Sequence, residues 1–415
     1  MKPLRVAITA RSVFPMHGPG GLERSVYDLA RYLARHDVEV TLITRTPKAA
    51  HPTDIHPSVD LRFVPYRTFP LAGRRGTTVI DRSTAYLLFG ARAGAVAADL
   101  VERGAIDIVQ GFGASVLGYA RRRARRAAPL VLNPQGLEEF GATDPSRARL
   151  KRMAYLPLRR AVITCARAAD AVIATDRALE PVVRTHLGVP PERIATIPNG
   201  LDLENIDALA GPDDGRRIRM AHDIGPDVPL LLSVGRLEAN KGFHLLAQAL
   251  AALREHAGRL ARGSWRWVLA GEGPYRKRLE ALVAQLELTP HVLFAGRTSD
   301  ADLHAWYEAA DLFVHPTLYE GSSLVTLEAM AHRRACVVTD AGGLPDKVRN
   351  GINGWIVAAG DPAALAAAIS GALEQPDRLV RFGHAGRAIV EAEFSWSAIG
   401  RQTVELYGRL LEKPS

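Results

Sequence analysis

Two glutamates eight positions apart, Glu320 and Glu328, sit in the segment Leu318-Tyr-Glu-Gly-Ser-Ser-Leu-Val-Thr-Leu-Glu-Ala-Met-Ala331. Gly321, Ser322, Ser323 and Leu324 follow an apolar strand pattern, Leu312–His315, and open a helical one. A helix start offers unpaired N–H groups and a partial positive charge, which suits a diphosphate. Glu320, just before that start, is placed to accept hydrogen bonds from sugar hydroxyls. Glu328, two turns in, is placed to bind both hydroxyls of a ribose diol with one carboxylate. The plainer alternative is a capped amphipathic helix with Ser322 or Ser323 as N-cap.

A second segment is Ser233-Val-Gly-Arg-Leu-Glu-Ala-Asn-Lys-Gly242. Arg236 and Lys241 lie in a glycine-bounded loop after a strand pattern. Fixed cations there would stabilise the charge that develops on a departing diphosphate. It is not a Walker A loop, because Lys241 precedes Gly242 and no Ser or Thr follows it. The alternative is a solvated loop. A third segment, Met16-His-Gly-Pro-Gly-Gly-Leu-Glu-Arg-Ser25, places Gly20 and Gly21 where backbone can approach a ligand and a helix can begin. It does not match the dinucleotide fingerprint G-x-G-x-x-G, so a glycine-rich turn without ligand is its alternative.

These segments need a frame. Short β-rich apolar runs alternate with helical patterns along the chain. The first half gives strands at Arg5–Thr9, Val38–Thr44, Leu61–Pro65, Ile106–Phe112, Leu130–Pro134, Ala171–Thr175 and Ile194–Pro198. The second half gives Leu230–Val234, Arg266–Ala270, Val292–Ala295, Leu312–His315, Cys336–Thr339 and Trp355–Val357. Runs this apolar read as parallel strands covered on both faces. The alternation restarts after the polar stretch Asp202–Pro229, and 415 residues exceed one compact core. The predicted fold is therefore α/β: two facing Rossmann-like, doubly wound domains with a ligand cleft between them. Their bounds are 1–200 and 201–394, with residues 395–415 as a terminal helix.

Taken together the motifs resemble the retaining family-4 glycosyltransferases of GT-B fold, over nearly the whole chain. The matching elements are the Gly20–Gly21 turn, Ile197-Pro-Asn-Gly-Leu-Asp202, Val234-Gly-Arg-Leu237 with Lys241-Gly, and Ala270-Gly-Glu-Gly-Pro274. Glu320 with Glu328, Ala341-Gly-Gly-Leu-Pro345, Asn350-Gly-Ile-Asn-Gly-Trp355 and the ending Phe394-Ser-Trp also fit. The resemblance implies that Arg236 and Lys241 hold the donor diphosphate, that Glu320 contacts the transferred sugar, and that these three carry catalysis. It implies a donor site of Gly20, Gly21, Gly235, Gly271, Arg297, Gly321, Ser322, Ser323, Leu324 and Glu328 around them. It implies that the final helix crosses back to the N-terminal domain, that no metal or other cofactor is needed, and that the donor is a nucleotide-diphosphate sugar, UDP ahead of GDP.

The match departs from the family at Gln110 and Gln135, where a histidine is common; a glutamine bonds a hydroxyl but does not titrate. With Glu138 they are the acceptor-side candidates, the alternative for Glu138 and Glu139 being surface charge. Asp346 replaces a more usual glutamate. The one D-x-D, Asp300-Ala-Asp302, reads as a helix start with Ser299 as N-cap and not as a metal motif. A two-step retaining route needs a carboxylate nucleophile beneath the anomeric carbon, and no residue stands out for it. A front-face route, with the leaving phosphate taking the acceptor proton, fits better.

Charge points to the acceptor side. In residues 1–200 Lys and Arg outnumber Asp and Glu 30 to 17, whereas in the remainder they are outnumbered 23 to 27. Only seven of the 53 basic residues are Lys, so an arginine-rich coding bias is the alternative reading. Two basic stretches stand out, Arg121–Arg126 and Arg147–Arg152 with Arg159 and Arg160; the second interleaves Met153, Tyr155, Leu156 and Leu158 and suits an anionic membrane surface, the alternative being a solvated helix face. The family resemblance implies a glycan or lipid-linked acceptor in cell-envelope polysaccharide, lipopolysaccharide or glycolipid synthesis, and the expected location is the cytoplasm, peripheral on the inner face of the cytoplasmic membrane. No stretch reads as a membrane span. The two cysteines, Cys165 and Cys336, imply neither a disulfide framework nor zinc. The other readings are a sugar-nucleotide epimerase or a phosphorylase on a related two-domain fold, a non-catalytic basic membrane-binding protein, and a non-catalytic basic nucleic-acid binder. The last is disfavoured because the arginines lack interleaved aromatics for base stacking.

Overall fold

Thirteen strands form where the apolar runs lie: β1 Arg5–Thr9, β2 Glu39–Arg45, β3 Val59–Val64, β4 Ile108–Phe112, β5 Leu130–Asn133, β6 Ala171–Ala174, β7 Ile194–Thr196, β8 Leu230–Val234, β9 Arg266–Ala270, β10 Val292–Gly296, β11 Leu312–His315, β12 Ala335–Thr339 and β13 Gly354–Val357. They are seen in a computed structural model that describes residues 3–18, 20–47, 55–68, 81–123, 127–135, 137, 140, 153–255 and 265–412. The first seven strands make one sheet, in the order β3-β2-β1-β4-β5-β6-β7, and the other six make a second, β10-β9-β8-β11-β12-β13. Every pairing is parallel. Parallel strands need crossovers, and the helices supplying them cover both faces of each sheet. Alternation within a strand shows this: Val6 and Ile8 enter one core and Ala7 another, just as Leu230 and Leu232 separate from Leu231.

The chain forms two compact units, Met1–Gly200 with Trp396–Ser415, and Leu201–Ser395. In the first, the helix Trp396–Glu412 lies against the helix Gly21–Arg35; a Cβ on Gly400 would fall 2.0 Å from the ring of Tyr32. In each unit the strand order reverses beside one central strand, at β1/β4 and at β8/β11. Loops leaving neighbouring strands there turn in opposite directions and open a crevice at the carboxyl ends, the usual ligand position in such sheets.

One sequence expectation is corrected here. The helical stretch Asp81–Glu102 is long and apolar enough to cross a membrane by length and composition. Its Phe89, Ala93 and Ala97 are buried in the core of the first unit, so it packs there as a crossover helix.

Candidate functional site

β8 and β11 are hydrogen-bonded neighbours in the second sheet, and three loops converge beyond their ends. The loop after β8 runs through Arg236 to Gly242, and the loop after β11 runs from Pro316 to Ser323. Leu318 N–H and Thr317 Oγ1 both donate to Asn240 O, at 2.8 and 3.1 Å. From the third loop's strand, β12, Thr339 Oγ1 donates to Thr317 O at 2.6 Å. Two glycines let the loops close. Gly242 has φ 68°, and a Cβ there would lie 1.9 Å from Pro316 O. Gly342 has φ 55°, and its Cβ would lie 1.7 Å from the carbonyl oxygen of Glu320. Larger residues would fail at both places on backbone angle and on space.

This clamp presents Glu320. Lys241 Nζ donates to Glu320 Oε2 at 2.7 Å, and His315 Nε2 donates to the same oxygen at 2.6 Å. His315, the last residue of β11, is wholly buried, whereas the side chains of Lys241 and Glu320 keep 19% and 12% of their exposure. Burial by itself would raise the Glu320 carboxyl; the hydrogen bond and charge of His315, then the charge and hydrogen bond of Lys241, outweigh it and hold the group at about 2. Among the described residues, the buried Nδ1 of His315 has no hydrogen-bond partner. A carboxylate oxygen only accepts, so Nε2 of His315 carries the hydrogen of that contact.

The helix Leu324–Ala331 follows. Ser323 is its N-cap by position, yet its side chain caps nothing and bonds Thr326 Oγ1 at 2.9 Å. The side-chain capping anticipated for Ser322 or Ser323 is therefore replaced by a hydroxyl pair. Among the described residues, the amides of Gly321, Ser322 and Ser323 meet no protein acceptor, and Ser322 Oγ is buried without a partner. The Ser323 amide is an orphan donor of the helix start, and those of Gly321 and Ser322 lie just before it. On the next turns Glu328 is half-buried, and Tyr307 OH donates to its Oε2 at 2.9 Å and to Val325 O at 3.1 Å. Burial first, and the Glu328 charge second, push the Tyr307 phenol well up, so it remains a donor.

Not every anticipated residue joins this group. Arg236 is exposed, at 76%, and pairs with Glu238 of its own loop at 2.7 Å, so Lys241 alone meets Glu320. The amides of Gly235 and Gly271 already donate to Ala270 O and Gly296 O; these two glycines close the strand ends, and their N–H groups are not open to a phosphate. Arg297 is exposed just after β10. Gly20 and Gly21, both exposed, are the N-cap and first residue of the helix Gly21–Arg35 in the first unit.

Gln110 corrects the acceptor-side expectation. It is 1% exposed within β4, and its Oε1 accepts a hydrogen bond from Tyr407 of the C-terminal helix, so it anchors that helix and faces no ligand. Gln135 holds φ 62°, and its Nε2 folds back to Asn133 Oδ1 at 2.9 Å. Glu138, Glu139, Arg125, Arg126 and the stretch Arg147–Arg152 lie outside the described residues. Met153 and Leu156 are exposed, while Tyr155 and Leu158 are core. Asp300 and Asp302 open a helix as anticipated, with Asp302 N–H donating to Ser299 Oγ at 3.1 Å. His315 and Tyr307 are additions that sequence reasoning missed. A histidine closing an apolar strand five residues before Glu320 was the available signal for one; Tyr307 left none beyond a helical core position.

Comparison with known proteins agrees with this geometry. The profile described as "Glycosyltransferase Family 4" matches residues 19–205, and that described as "Glycosyl transferases group 1" matches residues 214–389. A D-inositol 3-phosphate glycosyltransferase of Catenulispora acidiphila is 30% identical, covering 99% of this chain and 96% of its own. Sucrose-phosphate synthase from Thermosynechococcus elongatus superposes with a TM-score of 0.76 at 23% identity, over 99% of this chain and 100% of its own. Anabaena HepE, solved in complex with UDP-glucose, gives 0.68 at 21%, over 98% and 100%. With the strand orders, the converging loops and a relative matched from end to end, the chain belongs to the family-4 glycosyltransferases of GT-B fold.

Proposed function

We propose that this glycosyltransferase moves a sugar from a nucleoside-diphosphate sugar to an acceptor hydroxyl with retention of configuration. The observation that carries the reading is the convergence of Lys241 and His315 on one oxygen of Glu320 at the ends of β8 and β11. With Oε2 doubly engaged, Oε1 is left to accept a hydroxyl of the donor sugar. The amides of Gly321–Ser323 and the charge of Lys241 suit the diphosphate, whose negative charge grows as its bond to C1 breaks. Glu328, held by Tyr307, suits the ribose diol.

A carboxylate held at about 2 is weakly basic and a poor nucleophile, so Glu320 suits orientation better than attack. The route we favour is front-face. The acceptor oxygen bonds C1 as the C1–O bond to the diphosphate breaks on the same side, and the acceptor proton passes to the leaving phosphate oxygen. Lys241 and the helix-start amides supply the positive charge, which supports metal independence; Asp302 is engaged by Ser299 and Arg217. UDP-glucose, the ligand of the HepE structure, is the donor we would test first. For the acceptor, the name of the inositol-phosphate relative favours a phosphorylated polyol over an undecorated glycan. The exposed Met153 and Leu156 beside Arg159 and Arg160 support a peripheral position on the cytoplasmic face of a membrane; equal sedimentation with neutral and anionic vesicles would sink that part.

The test is thermal unfolding with UDP-, GDP- and ADP-sugars. A ligand at about 100 times its Kd stabilises by roughly 2.7 kcal/mol. A shift with one nucleotide class, lost in Lys241→Ala, supports the reading, and an α-linked product from an α-linked donor by NMR supports retention. A folded protein that shifts with none of them, or a glycosyl-enzyme adduct in the mass spectrum, overturns the corresponding half.

A further inference from the structure

The first unit holds a pair of cations that the donor-side chemistry does not use. β1 and β2 run side by side, and their pairing continues as Ala10 N–H donates to Ile43 O at 3.1 Å. Just beyond, Arg11 follows β1 and Arg45 ends β2, which brings two guanidiniums to the carboxyl edge of the sheet next to its point of strand reversal. Each has an aromatic wall: Arg11 lies over the ring of Tyr86, 5.0 Å from its centre, and Arg45 over Tyr66 at 5.4 Å. His17 of the glycine-rich loop fixes the end of β2, with Nε2 bonded to Arg45 O at 2.9 Å.

Among the described residues, no carboxylate contacts either guanidinium. Both arginines are half-buried. Among the described residues, Nε of Arg45, closed off from solvent, has no hydrogen-bond partner. Asp81, the nearby acid, accepts a hydrogen bond from Tyr66 OH at 2.6 Å, and it and Glu23 favour the Arg45 charge through space. Burial first, and the Arg11 charge second, make the Arg45 guanidinium less easily held as a cation. Two like charges, half-desolvated and side by side, form an unfavourable arrangement that a bound anion would relieve. Planar forks also match the oxygens of a phosphate two at a time.

We propose that Arg11 and Arg45 form a phosphate-binding subsite in the first unit, walled by Tyr66 and Tyr86, that takes a phosphomonoester carried by the acceptor. This rests on the glycosyl-transfer reading and adds to it the residues and the charge of the acceptor. The phosphomonoester is either that of a soluble polyol phosphate or that of a lipid headgroup.

The experiment is calorimetric titration of the full chain with inorganic phosphate, inositol 3-phosphate and inositol, in wild type, Arg11→Gln, Arg45→Gln and the surface control Arg62→Gln, each also titrated with UDP. Saturable binding of phosphate and inositol 3-phosphate, weakened about tenfold or more in both site variants and unchanged in the control, is expected. UDP affinity should be the same in all four. Sedimentation with phosphatidic acid vesicles in place of binding to free inositol 3-phosphate would assign the lipid source and keep the subsite. Equal phosphate binding in wild type and both site variants, or none in wild type, overturns the proposal. Absence of UDP binding with phosphate binding intact would instead count against the donor reading. If a glutamine variant fails to fold, Arg45→Lys, which keeps the charge and loses the fork, takes its place with an intermediate affinity expected.

Discussion

Lys241 Nζ lies 2.7 Å from Oε2 of Glu320, two side chains 79 positions apart in the chain. The contact joins the loop after β8 to the loop after β11, and His315 completes it from the strand beneath. It makes the site a charged, partly open centre whose parts depend on one another.

Lys241→Ala should leave Glu320 with one donor and the diphosphate without its cation. Loss of a charged group that acts on the transition state lowers kcat by about 10²- to 10³-fold. Steady-state kinetics with UDP-glucose check this. Arg236→Ala, whose side chain is exposed and paired within its own loop, should cost less. An equal loss in both variants would mean that Arg236 swings onto the donor.

Glu320 also gives a pH signature. Its folded pKa, about 2, lies below the ordinary carboxylate value of 4.5. The stabilisation is therefore present above the unfolded value and is lost as pH falls through the folded one. A difference of this size corresponds to about 3 kcal/mol. Urea unfolding of wild type and Glu320→Gln should show a gap of that order at pH 7 that shrinks between pH 4.5 and pH 2. A gap independent of pH would show that the charge is not its source.

Tyr307→Phe removes the hydroxyl that fixes Glu328 while keeping the ring. The donor KM should rise about three- to tenfold with kcat little changed, because an aimed carboxylate loses one hydrogen bond's worth of positioning. An unchanged KM would separate Tyr307 from donor binding.

Gln110 and Tyr407, 297 positions apart, hold the C-terminal helix onto the first unit. Gln110→Leu leaves a buried phenol unsatisfied and should destabilise by about 1–3 kcal/mol in urea. UDP affinity, which the proposed donor site assigns to the second unit, should not move. If acceptor KM rose with stability unchanged, Gln110 would return to the acceptor side.

The sequence by itself determined the elements. Each of the thirteen described strands overlaps an apolar run read from the chain; the central ones are buried on both faces and must be apolar along their length, a local pattern, whereas the edge strand β3 exposes Asp60, Arg62 and Phe63. It also determined where charge and glycine punctuate those strands, and hence the segments around Glu320, Lys241 and Gly20. Only the tertiary structure decided which of these side chains meet. Arg236 and Lys241 share one loop, yet the fold brings only Lys241 to Glu320. Gln110 looks like a strand-end ligand residue until a helix from the other end of the chain covers it. His315, Tyr307 and the pair Arg11 and Arg45 gain their roles from neighbours on other elements. Such partners leave no periodicity in the sequence, since a hydrogen bond or a shared charge depends on distance in space and not on distance along the chain.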